Sequence, residues 1–395
     1  MEEWKEYSLS DIAKYSQGKQ IPIQLQYEEK NDSLIRFIRI VDYTSNWSQP
    51  PRYVLKDSKY HIKSDDIIMI RYGTPGKVFR GHEGLIANNM FKISVNEDII
   101  DKGFAFWYLS MDIIFKQLMS FQASTTMPAI SFGMLKNIAI KVPSKKTQLK
   151  IIKIFDTIDD KIEVNRRINE QLEELAGALF KSWFADFEPF KDGEFVDSEL
   201  GMIPKGWKVG DIYEHLNVIY GAPYKSSLFN DKGDGLPLIR IRDLKTNAPQ
   251  FYTPEILPNT EYVNIGDVVA GMDAEFVPYI WLGAKGVLNQ RCCKFVAKDK
   301  KISNYYIINT VKPKLEFVQS YKTGTTVSHL GKSDIDRFRV VNPPLNVLVD
   351  FSEKVNPLLA RKIALAKEIT HLTTLRDTLL PKLMSGEIDV NEVKI

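Results

Sequence analysis

The sequence predicts an α/β (α+β) protein: two similar mixed α/β domains separated by two long antiparallel coiled-coil helices, related by a pseudo-two-fold internal repeat. Two observations carry this. The 395-residue chain partly matches itself when shifted by about 200 residues, and each half closes on a long run of heptad-spaced apolar residues.

The self-match keeps its order along the chain. Arg39-Ile40-Val41-Asp42 falls on Arg240-Ile241-Arg242-Asp243, and Asp66-Ile67-Ile68 on Asp267-Val268-Val269. Gly84-Leu85-Ile86 falls on Gly286-Val287-Leu288, Lys92 on Lys294, Thr125-Thr126 on Thr325-Thr326 and Pro143 on Pro343. Leu172, Leu175 and Leu179 fall on Leu372, Leu375 and Leu379. The offset drifts only between 200 and 202. An ordered series of that kind is the signature of a duplicated unit.

Within each half, about 140 residues of mixed character come first. β-branched and aromatic runs at 34–41, 66–70, 236–241 and 291–296, bounded by Gly, Pro, Asn and Asp, predict strands. Residues 104–118 and 304–318 predict shorter helices. Pro143 and Pro343-Pro344 end these segments.

A long helix follows in each half. Its seam in the first is Ile151, Phe155, Ile158, Ile162, Asn165, Asn169, Leu172, Ala176, Leu179 and Trp183. In the second it is Phe351, Val355, Leu358, Lys362, Leu365, Ile369, Leu372, Arg376, Leu379 and Leu383. Steps of four and three are heptad spacing, and polar seam residues such as Asn165 and Asn169 fix register. Asn356-Pro357 marks a start or a kink in the second helix, because proline suits a first helical position capped by Asn. The resulting domains are 1–143, a central helix at 144–186, a linker at 187–206, 207–343, and a distal helix and tail at 344–395. Proline and glycine density makes the linker a loop.

Composition bounds the function only loosely. Net charge is +3, from 53 basic and 50 acidic residues, so a local patch would matter more than the total. The two cysteines, Cys292 and Cys293, are adjacent and do not suit a structural disulfide. No leader pattern or bilayer-length apolar run is present, so the expected location is cytoplasmic, with no membrane partner.

Two similar domains held apart by paired helices match the pseudo-symmetry of half-sites on double-stranded DNA. The candidate contacts lie on polar turns. In the first half they are Arg71, Tyr72, Thr74, Lys77, Arg80, Asn88, Asn89, Thr125 and Thr126. In the second they are Asp273, Gln290, Arg291, Lys322, Thr323, Thr325, Thr326, Ser328 and His329. Arg, Asn and Gln pair with guanine or adenine edges. Lys, Thr and the backbone N–H groups of glycine turns suit phosphates.

Catalytic signatures fail one after another. Asn342-Pro343-Pro344-Leu345 lacks the aromatic that amino-methyltransferases carry in fourth place, and no glycine-rich cofactor loop precedes it. Gly331-Lys332-Ser333 has Thr326 where a phosphate-binding loop needs glycine. No zinc-ligand spacing occurs, so no catalytic residue, metal ligand or cofactor is assigned to this chain.

Three stretches resemble type I restriction–modification specificity subunits. Leu179-Phe180-Lys181-Ser182-Trp183-Phe184-Ala185-Asp186-Phe187-Glu188-Pro189-Phe190 and Ser198-Glu199-Leu200-Gly201-Met202-Ile203-Pro204-Lys205-Gly206-Trp207-Lys208 look like their central conserved region. Leu375-Arg376-Asp377-Thr378-Leu379-Leu380-Pro381-Lys382-Leu383-Met384-Ser385-Gly386-Glu387-Ile388 looks like the distal one. The resemblance implies two target-recognition domains reading a split, asymmetric site, and helices that dock two methyltransferase subunits. Motor–nuclease subunits complete such complexes. It also implies that S-adenosylmethionine, ATP and magnesium belong to those partners, which methylate adenine and restrict DNA. Two other classes stay open: a self-contained adenine methyltransferase with diverged motifs, and a tandem-repeat scaffold that binds protein.

Overall fold

The computed structural model describes residues 3–44, 50–121, 129–322 and 328–393. The chain forms two compact units, one of Met1–Lys161 with Leu372–Ile395 and the other of Ile162–His371. The boundary cuts both long helices, so each unit holds one mixed domain and a part of each helix.

In unit 1 an antiparallel sheet has the order Ala13–Gln17, Met90–Val95, Ile67–Ile70, Val78–Phe79. A second sheet runs Arg52–Leu55, Leu34–Ile38, Gly84–Ile86, His61–Ile62, with one parallel pairing, between Leu34–Ile38 and Gly84–Ile86. Unit 2 repeats the plan. Leu216–Tyr220, Cys292–Ala297, Val268–Gly271 and Pro278–Ile280 make the antiparallel sheet. Tyr252–Thr253, Leu236–Ile239, Gly286–Leu288 and Tyr262–Val263 make the mixed one. Even the register recurs: Ile68 faces Lys92 as Val269 faces Lys294.

The matched residues are the ones that build this plan. Lys92 pairs with Asp66 at 2.9 Å, and Lys294 with Asp267 at 3.6 Å. Each carboxylate also accepts a backbone N–H three residues back, from Lys63 and from Asn264. Gly84 and Gly286 lie where a Cβ would stand 2.3 Å from the Arg36 carbonyl oxygen and 2.4 Å from that of Pro237. Cys292 and Cys293 are buried strand residues.

Two of the expected strands end early. The 34–41 and 236–241 runs stop at Ile38 and Ile239, and short helices Ile40–Thr44 and Ile241–Leu244 follow. The cause is local. Asp42 accepts the Arg39 N–H at 2.8 Å and Asp243 that of Arg240 at 3.1 Å, a side-chain capture of the backbone that ends the ladder. The 104–118 helix is two, Lys102–Leu109 and Asp112–Ser120, whereas its counterpart Asn304–Lys322 is one and passes through Pro313.

The long helices span Lys145–Phe184 and Leu345–Met384. The second starts at Leu345, directly after Pro343-Pro344, and not at Pro357. Pro357 sits on the exposed face, as does Glu353, the residue four earlier whose carbonyl a proline cannot serve. In unit 1, Ile151, Phe155 and Ile158 are buried and Arg376 meets Asp159 at 2.9 Å. In unit 2, Ile162, Ala176, Phe351, Val355 and Leu365 are buried. There Asn165 donates to Glu368 at 2.9 Å and Lys362 pairs with Glu173. One index rises as the other falls, so the helices pair antiparallel. Asn165 and Asn169 are buried in the seam as expected, each with its side-chain oxygen unpartnered.

The linker is less open than its composition indicates. Phe195–Val196 pairs with Ile203–Pro204 in a short ribbon. Phe187, Phe190 and Trp207 join Trp183 and Phe184 in an aromatic cluster, with Phe190 and Trp207 ring centroids 5.0 Å apart. Phe187 takes a left-handed φ of 53° to enter it. Among the described residues no helix is long and apolar enough to cross a membrane.

Candidate functional site

Each unit carries one hydrogen-bonded frame, at the ends of its antiparallel sheet. In unit 1, Arg71 N–H donates to the Asn89 carbonyl at 2.8 Å, and Ile130 N–H to the Arg71 carbonyl at 3.1 Å. Gly18 N–H donates to Met90 O at 3.0 Å. In unit 2 the same bonds join Met272 to Arg291 (2.8 Å), Leu330 to Met272 (2.7 Å) and Gly221 to Cys292 (3.1 Å). A left-handed residue follows in both, Gly73 at φ 95° and Ala274 at φ 61°. Gly18 and Gly221 are required by close approach: a Cβ would lie 2.2 Å from the Ala87 oxygen and 2.1 Å from that of Asn289.

The side chains on the two frames differ. Superposed by these bonds, Arg71 occupies the place of Met272, Tyr72 that of Asp273, Asn88 that of Gln290 and Asn89 that of Arg291.

In unit 1 the frame gathers Arg71, Tyr72, Asn88 and Asn89. The Arg71 guanidinium lies 4.9 Å from the Tyr72 ring centroid and donates to Gln17 Oε1 at 2.9 Å. Gln17 Nε2 donates to Asn88 O at 2.9 Å, and Asn88 Nδ2 to Gln20 Oε1 at 3.2 Å. The Asn89 side-chain oxygen is buried without a hydrogen-bond partner. Thr74 and Lys77 are exposed on the turn. Arg80 is engaged elsewhere. It pairs with Asp156 of the central helix at 2.6 Å and lies 4.3 Å from the Phe106 ring centroid. That neutralised, packed guanidinium reads first as a brace between the domain and its helix. Thr125 and Thr126 lie outside the described residues.

In unit 2 the centre is Asp273. Its Oδ2 meets Arg291 Nη1 at 3.1 Å and its Oδ1 meets His329 Nδ1 at 2.6 Å. The Asp273 side chain is 20% exposed, whereas Arg291 and His329 are 56% and 54% exposed, so one shielded carboxylate holds two outward donors. Gln290 is exposed, its N–H fixed to Ala222 O at 2.9 Å. Lys322 is expected to be free for phosphate, but its ammonium pairs with Asp334 at 2.6 Å and donates to His329 O at 2.8 Å. Ser328 Oγ donates to Lys322 O at 2.5 Å, and its carbonyl accepts from Ala274 N–H at 2.9 Å. These two side chains therefore tie the end of the Asn304–Lys322 helix to residues 328–334. Thr323, Thr325 and Thr326 lie outside the described residues.

Sequence reasoning missed Gln17 and Gln20. The available signal was Gly18, a glycine inside a strand pattern that marks close backbone approach.

Fold and frames together define a duplicated protein, with two mixed α/β units built on paired helices and each presenting its own polar set on a shared backbone plan. Residues 1–174 and 204–371 match the family described as type I restriction modification DNA specificity domain. The chain belongs to that family, the type I restriction–modification specificity subunits. It is 29% identical over 367 residues to the type I restriction enzyme MjaIX specificity subunit of Methanocaldococcus jannaschii, covering 86% of this chain and 81% of that one. It is 23% identical over 466 residues to the HindI specificity subunit of Haemophilus influenzae, covering 98% and 100%. The crystal structure of a type I restriction-modification S subunit from M. genitalium shares the fold at a TM-score of 0.56 and 14% identity, over 97% of this chain and 96% of that one.

Proposed function

We propose that this chain is the non-catalytic, DNA-sequence-reading subunit of a type I restriction–modification complex. Its domains at 1–143 and 207–343 each read one part of a bipartite, asymmetric site in double-stranded DNA. Two methyltransferase subunits, carrying S-adenosylmethionine, modify adenine at that site. Motor–nuclease subunits with ATP and magnesium restrict DNA that lacks the mark. All of this takes place in the cytoplasm.

One observation carries the reading: the same hydrogen-bonded frame recurs in both units with different side chains upon it. A scaffold duplicated for protein binding has no need to exchange Tyr72 and Asn89 for Asp273 and Arg291 while keeping the three backbone bonds of the frame. A reader of two unlike half-sites does, since base edges are distinguished by donor and acceptor pattern, whereas backbone placement relative to the phosphates can stay constant. Arg71, Asn88, Asn89, Gln290 and Arg291 are residue types that suit purine edges. Thr74 and Lys77 suit phosphates.

The test is a domain exchange. Replacing residues 1–143 by the equivalent domain of a relative, then mapping methylated adenines across the host genome, should change one half of the methylated motif and leave the other. Change in both halves, or in neither, would refute modular reading.

A further inference from the structure

Asp273, Arg291 and His329 form a cluster that the general reading leaves without individual roles. We infer that Arg291 reads a guanine in one half-site, and that Asp273 is the positioning residue that presents it. The inference rests on the DNA-reading role and assigns the base class that unit 2 recognises.

The geometry favours a presented side chain over an incidental surface pair. An exposed ion pair between two solvated residues orders little. Here the carboxylate is mostly shielded and uses both oxygens, 3.1 Å to Arg291 Nη1 and 2.6 Å to His329 Nδ1. The backbone beneath it is tightly set: Glu275 N–H donates to Asp273 O at 2.6 Å, and Asp273 bridges to His329. Ala274 holds a left-handed φ of 61° where the other unit has Gly73. A non-glycine residue there carries strain, and retained strain marks a loop held for a purpose.

Chemistry then selects the base. A guanidinium has five N–H donors in a planar fork, and one contact to Asp273 leaves enough for a bidentate approach to guanine O6 and N7. The neighbouring exposed carboxamide, Gln290, suits adenine N6 and N7 and so does not duplicate a fork that offers donors alone. In unit 1 the position matching Arg291 is Asn89, whose buried side-chain oxygen offers no comparable donor fork. The two frames therefore do not make the same contact there, which agrees with an asymmetric site.

The full chain, expressed in a host where it directs methylation, gives the test through maps of methylated adenine. Arg291→Gln should make one guanine position of one half-site degenerate, with adenine admitted. Discrimination there should fall roughly 5- to 150-fold while the other half-site is unchanged. Arg291→Lys should fail in the same way, because an ammonium keeps the charge but not the fork. Asp273→Asn should loosen the same position to a smaller degree. Retention of every fixed base in both Arg291 variants overturns the inference. So does a uniform loss at all sites that Arg291→Lys restores, which would make Arg291 a phosphate contact. An intact other half-site reports that each variant is folded. If the unaltered chain directs no split motif at all, the DNA-reading role itself fails, and that outcome is distinct from the others.

Discussion

Replacing Lys362 by methionine should leave unit 2 about as stable as before, whereas replacing its partner Glu173 by alanine should destabilise it. The asymmetry follows from burial. The Lys362 side chain is 6% exposed in the helix seam, and that of Glu173 is 52% exposed at its edge. Removing lysine leaves a carboxylate already half in water, and the methionine chain fills the same stem. Removing the glutamate leaves an ammonium in the seam without its anion. Breaking a fully buried pair costs about 3–5 kcal/mol. Water at the Glu173 end screens this one, so about 2 kcal/mol is the appropriate figure. For a unit of the size of Ile162–His371 that is roughly 4–8 °C in Tm. Lys362→Met should stay within about 1 kcal/mol of the parent. Urea unfolding and calorimetry of both variants and their combination measure this. The double variant should match Lys362→Met alone, since no charge is then stranded. A loss in Lys362→Met equal to that in Glu173→Ala, or a double variant that sums the two, would refute the argument.

Gly221→Ala should cost about 1–3 kcal/mol by overpacking, because its Cβ would sit 2.1 Å from the Asn289 oxygen. Since the turn to Arg291 must move to relieve it, binding assays with each half-site scrambled should show damage to one half-site only, with Gly18→Ala damaging the other. Acid should weaken unit 1 partly through Asp42. Burial pushes its carboxyl up, but hydrogen bonds from Arg39 and Arg36 outweigh that and hold it below the usual range. A depressed carboxyl contributes stability above its unfolded value of about 3.9 and loses it as pH falls through the folded one. Asp42→Asn should therefore flatten the acid limb of the urea midpoint below about pH 4, and parallel curves for variant and parent would count against it.

Much of the fold was legible because its signals are long. A heptad run over ten seam positions survives Lys362 and Arg376, since the remaining apolar residues keep the stripe on one side. What stayed hidden was short-range. The β-branched and aromatic runs at 34–41 and 236–241 continue past the real strand ends, because Asp42 and Asp243 stop the ladder through hydrogen bonds that residue type cannot register. The linker reads as loop from its prolines and glycines. Its aromatic residues nevertheless pack on Trp183, Phe184 and Trp207, a tertiary contact with no local pattern. At the site, residue type alone cannot separate a free cation from one already engaged. Arg80 and Lys322 sit on basic turns like their neighbours, yet both meet carboxylates from elsewhere in their unit.

The self-match of the sequence also divides the residues more sharply than mere recurrence implies. Asp42 and Asp243, Asp66 and Asp267, Gly84 and Gly286, Lys92 and Lys294 all coincide under the shift, and every one of them builds the backbone plan. The frame positions where the halves disagree are Arg71 against Met272, Tyr72 against Asp273, Asn88 against Gln290, and Asn89 against Arg291. In a duplicated reader that division is required. The residues that hold the frame serve both halves equally, so they can stay alike, whereas identical readers would demand identical half-sites. Recurrence of a turn thus locates the frame, and the mismatch within the recurrent turn locates the reading side chain. Mismatch alone is not sufficient: Arg80 differs from its counterpart too, but its guanidinium is bound to Asp156 and it is a brace. Arg291, which stands where the other half has Asn89 and turns more than half of its side chain to solvent, meets the criterion for the proposed reader.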